Sequence, residues 1–136
     1  MAQRLDKIML GAAVSWVLQA VAAAAFLAAG GAKLAGASQM VQVFEAVGIG
    51  QWLRYVTAFV EVGSAILLLV PGVAAYGALL LNCTMGCAAL THIFLIGGSP
   101  VPALILFVLT GAILWLRRTQ LRPILPLIGL DRPQNA

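Results

Sequence analysis

Two stretches of this chain are apolar for longer than the core helix of a water-soluble domain requires. No charged side chain stands between Ile8 and Ala32, and no Lys, Arg, Asp or Glu between Val62 and Leu116. A helix crosses the hydrocarbon layer with about 20 apolar residues. Pro71-Gly72 and Gly97-Gly98-Ser99-Pro100 cut the second stretch into pieces of that size. Four spans are expected, near 9–31, 53–70, 73–96 and 101–116. The connections after the second and third spans are turns of a few residues, so sequential spans are antiparallel neighbours. The expected fold class is therefore all-α: an integral membrane antiparallel four-helix bundle. Residues 1–136 make one membrane domain with a tail at 117–136, and no length remains for a soluble domain.

Charge sets the orientation. Of eight Lys and Arg residues, Arg4 and Lys7 precede the first span, and Arg117, Arg118, Arg122 and Arg132 follow the last. Basic flanks stay on the cytoplasmic side, so both termini of a multi-pass inner-membrane protein are expected there. The net charge of +4 is accounted for by orientation and anionic headgroups, and nucleic acid is not among the expected partners. Reading the start as a secretory signal fails on length, because the apolar run is longer than an h-region and carries Gln19.

The connection Leu34–Gln51 is the only one with room for structure. Met40, Val41, Val43, Phe44 and Val47 recur at near-helical spacing, with Ser38 placed to cap the start and Gly48 and Gly50 to stop it. A short interfacial helix between spans one and two is expected, lying on the membrane or over the bundle mouth. Small residues at Gly11, Ser15, Ala20, Ala24, Ala28, Gly63, Gly77 and Gly86 are expected to let helices approach closely. Pro123 and Pro126 prevent a regular helix in Leu121–Leu130, which is expected to run along the cytoplasmic interface.

The few polar residues fall on defined helical faces. At about 100° per residue, Ser15, Gln19, Phe26, Gly30 and Lys33 share one side of the first span. Arg54, Thr57, Glu61, Ser64 and Leu68 share one side of the second, and Asn82, Met85 and His92 point together on the third. An ionised carboxylate near a bilayer centre is costly, so Glu61 needs a partner inside the protein. Lys33, Glu61 and His92 all belong to the outer half under the expected topology. With Gln19, Thr57 and Asn82 they form the candidate ligand-binding set. The plainer alternative is that these groups hydrogen-bond one another only to fix helix register.

Cys83 and Cys87 point away from His92 and read as buried, inert thiols. One histidine gives neither a metal-ligand set nor bis-histidine haem ligation. No metal and no intrinsic cofactor is expected. The chain also lacks a phosphate loop, a Gly-x-Ser-x-Gly elbow and His-Glu-x-x-His.

Taken in order, Phe26-Leu-Ala-Ala-Gly-Gly-Ala-Lys33-Leu, Phe44-Glu-Ala-Val-Gly48, the run Glu61-Val-Gly-Ser through Pro71, Tyr76-Gly-Ala, Met85 and Ala-Leu-Thr91-His92 resemble the DoxX-like family of small four-span membrane proteins. The likeness covers roughly residues 12–116. It implies a four-helix bundle with a polar intramembrane cluster. The family takes its name from membrane subunits associated with thiosulfate:quinone oxidoreduction. The resemblance thus implies an accessory or membrane subunit of a redox assembly that binds a lipophilic, quinone-like molecule in an outer-half polar pocket. Its expected partners are the lipid bilayer and a membrane or redox protein, or a second copy of the chain. Two other readings stay open: a membrane enzyme working by proton transfer between Glu61 and His92, and a purely structural membrane subunit.

Overall fold

The computed structural model describes residues 1–130. Arg132 and the end of the expected tail lie outside the described residues. Five α-helices follow in order: α1 (Ala2–Ala35), α2 (Ser38–Val47), α3 (Trp52–Leu69), α4 (Ala74–Thr91) and α5 (Val101–Arg117). A π-helical turn, His92–Ile96, extends α4, and 3-10 turns at Arg118–Ile124 and Pro126–Ile128 follow α5.

Four helical stretches are long and apolar enough to cross a membrane: Ala2–Ala35, Trp52–Leu69, Ala74–Ile96 and Val101–Ile124. The chain is a multi-pass membrane protein with an all-α bundle fold. Three of the expected spans match these stretches closely at the end where each begins. The first does not, because α1 starts at Ala2 and includes Arg4 and Lys7. Hydropathy marks where lipid begins, whereas a helix made of good helix formers continues until a breaker stops it. At 34 residues α1 is roughly 50 Å long at 1.5 Å per residue. Its residues before Ser15 are all exposed.

The bundle is a closed ring in which α1 packs on α3, α3 on α4, α4 on α5, and α5 back on α1 over the least extensive of the four seams. Phe26, Leu68, Leu81 and Ile113 are fully enclosed in its core, with Ala22, Ala23, Ala65 and Ala78 packed around them. The faces read from the sequence are the buried ones: Ser15, Gln19, Phe26 and Gly30 on α1, and Arg54, Glu61, Ser64 and Leu68 on α3.

Close approach uses different small residues from those expected along α1. Gly11, Ala20, Ala24 and Ala28 are exposed, as is Gly63 on α3. Ala22, Ala23 and Gly30 take the inner side of α1 instead, because that side is fixed by Gln19 and Phe26. The tightest approach is at Gly77, where a Cβ would sit 2.5 Å from the Ser64 carbonyl oxygen and 2.9 Å from Leu67 Cβ. There α3 and α4 touch backbone to backbone.

α2 lies across one end of the bundle, in contact with α1, α3 and the π-helical turn. Phe44 is buried, and Met40, Val41, Val43 and Val47 are half-buried. Ser38 is the first residue of α2 and makes no capping bond, Ala37 standing at the cap position. Gly48 ends the helix in the left-handed conformation at φ 79°, where its N–H reaches the Phe44 and Glu45 carbonyls. Gln51 donates to the Val41 carbonyl at 3.1 Å and ties the following loop to α2. Beyond α5 the proline-broken segment packs against α4, and Gln120 Oε1 accepts from the Ala75 N–H at 2.9 Å. This bond satisfies a first-turn donor that α4 cannot satisfy itself.

Candidate functional site

Glu61 projects from the buried face of α3 and meets Lys33, one turn from the end of α1. Lys33 Nζ donates to Glu61 Oε2 at 2.8 Å and to Oε1 at 3.1 Å. The side chains are 12% and 2% exposed respectively, so the pair is almost wholly removed from solvent. It is the only ion pair among the described residues. Gly30, one turn before Lys33, allows this approach: a Cβ there would come within 2.7 Å of Val62 Cγ2 and 3.3 Å of the Ala58 carbonyl. Two of the three ammonium donors are spent on Glu61. The third remains, beside carboxylate oxygens that keep acceptor capacity.

Arg54 completes this end of the bundle. It is buried, donates through Nη1 to the Lys33 carbonyl and through Nε to Gln51 Oε1 at 2.8 Å, and stacks on Tyr55 with 4.4 Å to the ring centroid. A guanidinium at the α1 C-terminus meets the negative end of that helix dipole. Lys33 and Arg54 against Glu61 leave one positive charge within this group of three side chains. Arg54 was legible as part of the Glu61 face, yet its contact with α1 depends on how two helices meet. Residue spacing alone does not signal that.

The other four candidates are dispersed. Thr57 Oγ1 donates within its own helix to the Leu53 and Arg54 carbonyls, both at 3.0 Å. His92 Nδ1 lies 3.2 Å from the Gly97 carbonyl oxygen in the turn after α4. Asn82 bridges to α5, donating to the Phe107 carbonyl at 2.7 Å and to Thr110 Oγ1 at 3.1 Å. Gln19 stands toward the opposite end, where it donates to the Leu68 carbonyl at 2.6 Å and accepts from Ser15 Oγ and Arg117 Nε, each at 2.9 Å. Lys33 and Glu61 are thus the two expected residues that the fold joins directly. The expected six-residue pocket resolves into five separate polar contacts, because residues on one helical face can lie many turns apart along it.

Cys83 and Cys87 are exposed on α4 and not buried as expected. They occupy the side turned away from Met85 and the core. No group of three or more His, Cys, Asp or Glu side chains able to hold a metal ion occurs among the described residues.

Neither a curated protein nor a solved structure matches the chain. The sequence profile of the DoxX-like family matches residues 17–117. The matched segment takes in the Lys33–Glu61 pair, Arg54 and the Gln19–Arg117 contact, and leaves out the exposed start of α1. On that match over most of its length, the chain belongs to the DoxX-like family.

Proposed function

We propose that this protein binds the polar head of a lipophilic, quinone-like molecule at the Lys33–Glu61 pair, as an accessory or membrane subunit of a redox assembly. The observation that carries the reading is the pair itself, enclosed at 12% and 2% exposure yet holding an unspent ammonium donor and free carboxylate lone pairs. A ring carbonyl accepts from the first and a ring hydroxyl donates to the second, so both oxidation levels of such a head fit the same two side chains. Helix α2 over the mouth shields the head from water, while the tail lies in lipid or between helices. The expected partner is a redox protein in or at the membrane, or a second copy of the chain.

The test uses a variant that leaves the net charge of the bundle unchanged. Lys33→Met/Glu61→Gln, purified in mild detergent beside the wild type, is extracted and its isoprenoid quinones quantified by mass spectrometry. The wild type is expected to retain quinone in stoichiometric amount and the folded double variant to lose it. Equal retention by both overturns the assignment to this pair.

The orientation that goes with this reading puts both termini in the cytoplasm of a cell with this protein in its inner membrane. Arg117, Arg118 and Arg122 lie at the end of the bundle opposite Lys33, and Arg4 and Lys7 lie beyond it on the exposed start of α1, in line with the cytoplasmic retention of basic flanks. Reporter fusions at Met1 and Ala136 are expected to give cytoplasmic signals, and an external signal at either end reverses the topology.

A further inference from the structure

Arg117 is the charged group that the site above leaves unused. It ends α5 where the α1–α5 seam reaches the end of the bundle opposite Lys33. Its Nε donates to Gln19 Oε1 at 2.9 Å, and that oxygen also accepts from Ser15 Oγ at 2.9 Å. Both lone pairs of the amide oxygen are therefore occupied. Gln19 is itself held by its bond to the Leu68 carbonyl, and it is 1% exposed. The guanidinium is consequently fixed by a buried chain of hydrogen bonds, not swung freely from the surface.

Its Nη2 is enclosed and has no hydrogen-bond partner among the described residues, while Arg117 as a whole is only half-buried and so within reach of a ligand. No carboxylate pairs with Arg117 among the described residues. A charged donor left buried without an acceptor is a costly arrangement. An anion with more than one acceptor oxygen suits this group, because a planar guanidinium presents N–H groups that match carboxylate or phosphate.

The surroundings identify which anion. Trp16 stacks at 5.7 Å from Arg117 and Trp115 at 4.1 Å from Arg118. Trp115 stands two residues before the end of α5, where tryptophans meet the level of lipid headgroups. Arg117 stands at the seam where helices touch least, and Arg118 with Trp115 follows it on the same segment. We infer that the phosphodiester of one anionic phospholipid binds to Arg117 at the α1–α5 seam, with its acyl chains lying along that seam. Arg118, whose Nη1 is bonded to the Trp115 carbonyl at 2.8 Å, adds general attraction.

Full-length protein, delipidated in detergent, is titrated with phosphatidylglycerol, phosphatidylcholine or inorganic phosphate while its melting temperature and native mass spectrum are recorded. Phosphatidylglycerol is expected to raise the melting temperature and leave a single bound lipid, and the other two probes to do neither. An equal rise with phosphatidylcholine overturns the proposal, as does an equal rise with inorganic phosphate. Diffuse attraction is worth about fivefold per basic residue, and loss of a fixed charge contact costs about thirtyfold or more. Arg117→Gln is therefore expected to weaken phosphatidylglycerol about thirtyfold, and Arg118→Gln no more than about fivefold. Equal losses in the two variants mean surface attraction only and sink the site. Should Arg117→Gln fail to fold, the lipid comparison on the wild type still decides.

Discussion

Lys33→Met and Glu61→Gln are each expected to destabilise the folded protein in detergent by about 3 kcal/mol, since truncating one partner strands a buried charge. The double variant Lys33→Met/Glu61→Gln is expected to lose less than the two single losses together. Replacing a buried ion pair by uncharged groups removes the desolvation cost along with the attraction. A coupling of about 1 kcal/mol or more is the expected result of the double-mutant cycle, read from thermal or denaturant unfolding. Additive losses would show that the 2.8 Å contact contributes nothing specific. The cycle also separates stability from binding. A double variant that is stable but quinone-free assigns the pair to the ligand, and one that is stable and quinone-replete assigns it to helix register.

Gly77→Ala is expected to destabilise the bundle by about 1–3 kcal/mol, although alanine is the better helix former. The added methyl would lie 2.5 Å from the Ser64 carbonyl oxygen, a backbone atom that yields only if α3 and α4 separate. Gly63→Ala on α3 supplies the control, because nothing lies within 4 Å of its would-be Cβ. It is expected to be neutral or slightly stabilising in the same unfolding measurement. Equal stability of Gly77→Ala and wild type would mean that the α3–α4 seam can open without cost. Gly30→Ala should fall between the two, since its nearest obstacle is a Val62 methyl group that can shift further than a backbone oxygen.

The number of spans, their antiparallel order and the inward faces of α1 and α3 were determined by the sequence itself. Each depends on a local quantity: an apolar run measured against bilayer thickness, a break at Pro or Gly, or a period of 3.6 residues. Ser15, Gln19, Phe26 and Gly30 point inward together for that reason, as do Arg54, Glu61, Ser64 and Leu68. Glu61 demanded a partner because lipid provides none, and Lys33 was the available cation near the same end.

Tertiary structure alone decided which faces meet and at what height. Gln19 and Lys33 share a face of α1, yet 14 residues of rise put about 20 Å between them. One therefore joins Arg117 and the other Glu61. His92 meets the Gly97 carbonyl in the turn after its own helix because a π-helical turn and two glycines at positive φ, 69° and 81°, end α4 there. The contact between Gln19 and Arg117 spans 98 positions of the chain and follows from closure of the ring between α1 and α5. Periodicity fixes the angle of a side chain about its own helix axis. Height along the axis and the identity of the facing helix come from packing, which no single helix carries in its sequence.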